Sequence, residues 1–130
     1  MNEPIYESMN HEHTLYSIYL QLEHDYNITV GKLGECFFKR GTYIYIGSAK
    51  KYIMKRILRH KEIHKKLHWH FDYLRPYGMI TKIITYDDRL DECALAENIR
   101  KKEDGMFPIK GFGSSDCRCP SHLVYVNEKQ

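Results

Sequence analysis

The sequence predicts an α+β fold, a small mixed or largely antiparallel sheet flanked by helices. Three observations point there. At 130 residues the chain suits one domain with a single core. Thr42-Tyr43-Ile44-Tyr45-Ile46 is a clear strand whose tyrosines share one face while its isoleucines take the other. Two longer stretches, roughly 51–64 and 92–102, read as helices packed on such a sheet.

Taken in order, Tyr16 to Leu22 mixes apolar and polar residues of β-favouring type and reads as a first strand. His24-Asp25-Tyr26-Asn27 is a turn, and Ile28-Thr29-Val30 a short second strand stopping near Gly31 and Gly34. Cys36-Phe37-Phe38 either pairs with it or leads into the strand at 42–46. The helix from Lys51 to His64 buries Ile53, Ile57 and Met54, and residues four apart place Tyr52, Arg56 and His60 on one face. His68 to Leu74 is a short aromatic helix stopped before Pro76. Its Trp69, Phe71 and Tyr73 read as core or as platforms for stacked bases. Ile80 to Tyr86 is a strand. Asp88 or Asp91 caps a helix over Glu92–Lys102 that finishes at Gly105. A loop over 111–116 and a strand Leu123–Val126 complete the chain, giving an extension at 1–13, a domain at 14–126 and a tail at 127–130.

The charge is uneven. Formal net charge is only +3, yet Lys50 to Lys66 holds eight basic residues against Glu62. Of 20 basic and 17 acidic residues in total, 12 and 16 remain elsewhere, so a mildly acidic chain carries one basic stripe. No apolar run approaches the roughly 20 residues that span a bilayer, and the amino terminus lacks the regions of a secretory signal. The expected location is cytoplasmic, with no membrane partner. Four cysteines without a disulfide framework read as reduced thiols, and one residue between Cys117 and Cys119 is poor spacing for a mutual bridge.

Tyr45-Ile46-Gly47 ends a strand in glycine, which lets a phosphate or another backbone approach closely. Arg56 on the next helix can reach the same phosphate with a planar fork of donors. An ordinary strand-turn-helix with a solvated arginine fits these residues as well. For the histidines and cysteines, Cys117, Cys119 and His122, with His68 and His70, offer donors for a tetrahedral zinc; Cys-x-Cys-x-x-His matches no strong zinc signature, and a packed loop lining the cleft is the main reading.

Together these residues resemble a GIY-YIG nuclease domain, with Thr14-Leu15-Tyr16 in the place of the first motif and Tyr45-Ile46-Gly47 as the second. Gly47-Ser48-Ala49, His68-Trp69-His70-Phe71-Asp72-Tyr73-Leu74, Glu92-Cys93 and Gly111 to Leu123 resemble a small prokaryotic, archaeal-type branch of that superfamily. The first motif keeps only its tyrosine, and the segment between the motifs has room for an extra strand. The resemblance implies a metal-dependent endonuclease hydrolysing phosphodiesters of DNA, in repair or recombination and with a repair-protein partner. It implies Tyr16 as base, Tyr45 as its helper, Arg56 and His60 on the scissile phosphate, and a glutamate holding Mg²⁺ or Mn²⁺; Glu92 is favoured over Glu97. Gly47, Ser48, Lys51, Lys55, Arg59, His68 and His70 are the candidates for binding nucleic acid. A phenol with pKa near 10 needs roughly 4 kcal/mol of help to act as a base near pH 7. The alternative is a non-cleaving nucleic-acid-binding module on the same scaffold, and a third reading is a structural zinc protein mediating protein contacts.

Overall fold

The computed structural model describes residues 5–87, 90–114 and 119–127. Among the described residues, seven strands and three α-helices make the expected α+β architecture: β1 (Tyr6–Ser8), β2 (Leu15–Leu22), β3 (Tyr26–Thr29), β4 (Glu35–Phe38), β5 (Gly41–Ser48), α1 (Ile53–Lys61), α2 (His70–Leu74), β6 (Met79–Tyr86), α3 (Glu92–Lys102) and β7 (Leu123–Val126). The main sheet has five strands in the order β1-β6-β2-β5-β7, and β3 with β4 forms a separate hairpin. In the main sheet β1 pairs parallel with β6 and the other pairs are antiparallel.

The alternation along β5 divides the core. Tyr43 and Tyr45 lie in a large cluster with Tyr16, Ile53, Ile57, Phe71 and Phe112, so α1 and α2 cover that face. Ile44 and Ile46 face the other way, against Leu95, Ala96 and Ile99 of α3. A sheet covered on both sides explains why β5 is nearly continuous in apolar and aromatic residues. Among the described residues no helix is long and apolar enough to cross a membrane.

Several local expectations are corrected. β1 arises within the stretch expected as an extension; three exposed residues carry no alternation to reveal a parallel edge strand. Tyr26 and Asn27, expected in a turn, begin β3, because Tyr26 pairs with Phe38 and Asn27 with Phe37 in the hairpin. The first helix is shorter than 51–64. Tyr52 sits before it in the left-handed region at φ 60°, and Glu62 closes it in an extended conformation. Tyr52 is largely exposed, so the expected face of Tyr52, Arg56 and His60 runs from solvent into the core. Asp91 caps α3, its side chain accepting from the Ala94 N–H at 2.7 Å; Asp88 lies outside the described residues.

The cysteines were expected to be reduced thiols, and this is corrected as well. Cys93 and Cys119 are joined as a disulfide with Cα atoms 5.6 Å apart, while Cys36 is free and buried. Twenty-six positions separate the pair, and only the tertiary fold brings the start of α3 beside the segment preceding β7. Cys117 lies outside the described residues.

Candidate active site

A cleft of about 260 Å³ opens where the ends of β2 and β5 meet α1 and α3. Tyr16, Tyr45, Gly47, Ser48, Arg56 and Glu92 line it, joined by His68, Trp69, His70, Gly113 and His122. Antiparallel pairing sets Tyr16 opposite Gly47. A Cβ on Gly47 would lie 2.8 Å from Cε1 of the Tyr16 ring, so the glycine is required for the phenol to lie across the neighbouring strand.

The left-handed turn at Tyr52 starts α1 so that Arg56 faces back toward the end of β5. Its Nη1 donates to the Ser48 carbonyl at 3.0 Å, and its guanidinium lies 4.5 Å from the Trp69 ring centroid. This fixes a cation at the cleft wall and leaves Trp69 a structural partner as well as a lining residue. Across the cleft, Ser48 Oγ donates to Glu92 Oε1 at 2.8 Å. Glu92 Oε2 lies 3.4 Å from Nδ1 of buried His122. Glu92 is the one carboxylate among the described lining residues. Its hard oxygen donors suit Mg²⁺ or Mn²⁺, which commonly bind one or two protein carboxylates and fill the remaining positions with water and phosphate oxygens. Glu97, the other candidate, forms a close ion pair with Arg100 on α3 and does not line this cleft.

Tyr16 is 1% exposed, and its hydroxyl lies 2.7 Å from His60 Nε2. Burial pushes the Tyr16 phenol above its ordinary pKa, while the charge and hydrogen bonding of Arg56 oppose the rise. Tyr45 is also raised, again chiefly by burial, and stacks on Phe71 with centroids 4.8 Å apart.

His60 is placed differently from the expectation that it holds phosphate. It is 0% exposed, stands behind Tyr16 and does not line the cleft. Burial lowers its pKa to about 3, so it is neutral at pH 7. With Nε2 accepting from the phenol, its proton sits on Nδ1, which lies 4.0 Å from Asp72 Oδ1. Helical periodicity gives the correct direction for His60, but one turn beyond Arg56 that direction enters the core.

Asp72, which the sequence analysis does not single out, is a buried ionic centre that supports the cleft-lining His68 and Trp69. It is fully buried and accepts from the backbone N–H groups of His68 and Trp69 at 2.8 and 2.9 Å. Arg59 and Lys65 pair with it at 3.1 and 3.3 Å. Burial opposes ionisation, yet these hydrogen bonds and cations together hold its carboxyl below the ordinary range. An acid three residues after Trp69, in the first turn of a helix, is the available signal, since such residues satisfy free N–H groups there. Arg59, expected on nucleic acid, pairs with Asp72 while its side chain remains 30% exposed. Lys51 and Lys55 are exposed on the helix side but do not line the cleft. His68 and His70 do line it, and His70 Nδ1 accepts from the Gly113 N–H at 2.8 Å.

Residues 15–130 match the family model described as domain of unknown function DUF123. The chain belongs to the DUF123 family. Neither a curated protein nor a solved structure shows a match to this DUF123 chain.

Proposed function

We propose that this DUF123 protein is a metal-dependent endonuclease of the GIY-YIG type that hydrolyses phosphodiester bonds of DNA. One observation supports the reading above the others. Tyr16, Tyr45, Arg56 and Glu92, drawn from four separate elements, line one cleft beside a strand-end glycine. A cation, a phenol and a carboxylate around a small polar cavity are suited to a phosphoryl group and an attacking water.

In this reading Arg56 orients the scissile phosphate and neutralises charge that develops on its oxygens. A Mg²⁺ or Mn²⁺ ion held by Glu92 would supply Lewis-acid polarisation of the phosphoryl oxygen. Tyr16 takes a proton from the attacking water as its own passes toward His60 Nε2. His60 fixes the direction of the phenol, and the Asp72 carboxylate favours positive charge on His60 while burial opposes it. Ser48 holds Glu92 in place through its hydroxyl. The exposed Lys51 and Lys55 extend the positive field beside the cleft, and the role proposed for the nuclease is in repair or recombination with a repair-protein partner.

A specific observation favours the non-cleaving nucleic-acid-binding module as the second reading. Burial raises the Tyr16 phenol and lowers His60, both of which work against proton transfer. The deciding experiment incubates the protein with branched, nicked and single-stranded DNA and Mg²⁺ or Mn²⁺. The nuclease reading expects cleavage that falls about 10²- to 10³-fold in both Arg56→Ala and Glu92→Ala. Salt-sensitive binding without cleavage of any substrate supports the module instead. Cleavage equal in wild type and both variants identifies a contaminating nuclease.

A further inference from the structure

We propose that Cys93, Cys119 and His122 form a redox-gated zinc site: the disulfide is its oxidised state, and the reduced thiolates with His122 Nε2 bind one Zn²⁺. The three donor atoms lie within 4.8 Å of one another. Cys93 Sγ and His122 Nε2 are 3.6 Å apart. Ligands at the usual zinc distances stand about 3.5 Å apart along the edge of a tetrahedron, so this pair already has the required separation.

The histidine is built for such a role. It is 1% exposed, and its backbone is tied on both sides: its N–H donates to the Phe112 carbonyl at 2.8 Å, and its carbonyl accepts from Ile46 at 2.9 Å. Its Nδ1 makes no hydrogen bond among the described residues but faces Glu92 Oε2 at 3.4 Å. A carboxylate behind a histidine, with the far ring nitrogen directed at two sulfurs, is how metal-bound imidazoles are commonly oriented. Two thiolates and an imidazole are donors that favour zinc over the hard ions suited to Glu92. Three protein donors leave a fourth position to water.

The sites are adjacent and meet at Glu92, whose carboxylate lines the cleft and faces His122 Nδ1, while their metal-binding donors differ, oxygen in one and sulfur and nitrogen in the other. Cys93 follows Glu92 at the start of α3, while Cys119 and His122 precede β7. Disulfide and zinc are therefore alternative ties between α3 and the sheet, each holding the segment that carries Glu92. Two equivalents of a small-molecule thiol reduce the disulfide to two cysteine thiols and are themselves joined as a disulfide. Zn²⁺ then displaces both thiol protons. Hydrogen peroxide reverses the exchange by taking two electrons, and with two protons it yields two waters, the re-formed disulfide and free Zn²⁺.

Zinc binding here does not depend on cleavage, and its test reads metal alone. The full chain, reduced with a thiol that is then removed without oxygen, is titrated with Zn²⁺ against a chromophoric chelator and separately with Co²⁺. The expected result is one ion per reduced chain, with thiolate-to-cobalt charge transfer and the d–d bands of tetrahedral cobalt. The oxidised protein should take up none at this site, and peroxide should release the bound ion. Cys93→Ser, Cys119→Ser and His122→Ala should each lose stoichiometric binding, while Cys36→Ser keeps it. Equal uptake by oxidised and reduced wild type overturns the proposal whether or not the variants fold. So does absence of uptake by the reduced wild type.

Discussion

Asp72→Ala is expected to destabilise the protein by about 3–5 kcal/mol, the range for removing one partner of a buried charge pair. The substitution leaves Arg59 and Lys65 without their shared carboxylate. It also frees the His68 and Trp69 N–H groups, whose bonds set the start of α2. Because the Lys65 side chain is only 4% exposed, water replaces the lost partner poorly. Urea unfolding followed by circular dichroism measures the change directly. Asp72→Asn should lose less, since its amide oxygen still accepts from the backbone. An Asp72→Ala change below about 1 kcal/mol, the level of an exposed pair, would remove Asp72 from its position as organiser of the cleft wall.

A second large effect concerns pH. His60 has a folded pKa of about 3 against an ordinary value of 6.5. As pH falls below 6.5 the unfolded chain takes up a proton on this residue, whereas the folded chain does so only near 3. Its stabilising contribution is therefore fully present above 6.5 and is lost through this window, up to roughly 5 kcal/mol at 1.36 kcal/mol per unit. His70 is shifted down by burial and acts in the same direction. The depressed carboxyl of Asp72 adds a loss only at more acidic pH, beginning near its ordinary value of 3.8. Urea midpoints at about pH 7 and about pH 4 should differ strongly in wild type and less in His60→Gln. Equal slopes for the two proteins would contradict a buried, neutral His60.

The main sheet is legible in the sequence because β5 is amphipathic in shape rather than polarity: its tyrosines and isoleucines enter two different hydrophobic clusters. α3 is legible for a related reason, with Asp91 as its cap and Leu95 and Ile99 one turn apart on a buried face. β1 is not, since Tyr6-Glu7-Ser8 joins the sheet through backbone pairing with exposed side chains. The site is legible in part. Strand and helix periodicity bring Tyr45, Gly47 and Arg56 together, and the cleft adds Glu92 in preference to Glu97. The depth of His60, the ionic role of Asp72 and the joining of Cys93 to Cys119 all depend on tertiary proximity. Arg59 illustrates the limit of charge counting, because a residue of the basic stripe pairs with a buried aspartate.

The proposed nuclease chemistry rests on the hydroxyl of Tyr16, which lines the cleft. Tyr16→Phe keeps the ring that packs across Gly47 and removes only the hydroxyl held by His60. The most direct measurement is single-turnover cleavage of branched DNA by wild type and Tyr16→Phe at saturating protein with Mg²⁺, alongside binding of the same DNA. A proton-transfer role for Tyr16 predicts a rate at least about 100-fold lower in the variant with affinity little changed, as for loss of a positioned proton-transfer group. Equal cleavage rates for the two proteins would contradict it.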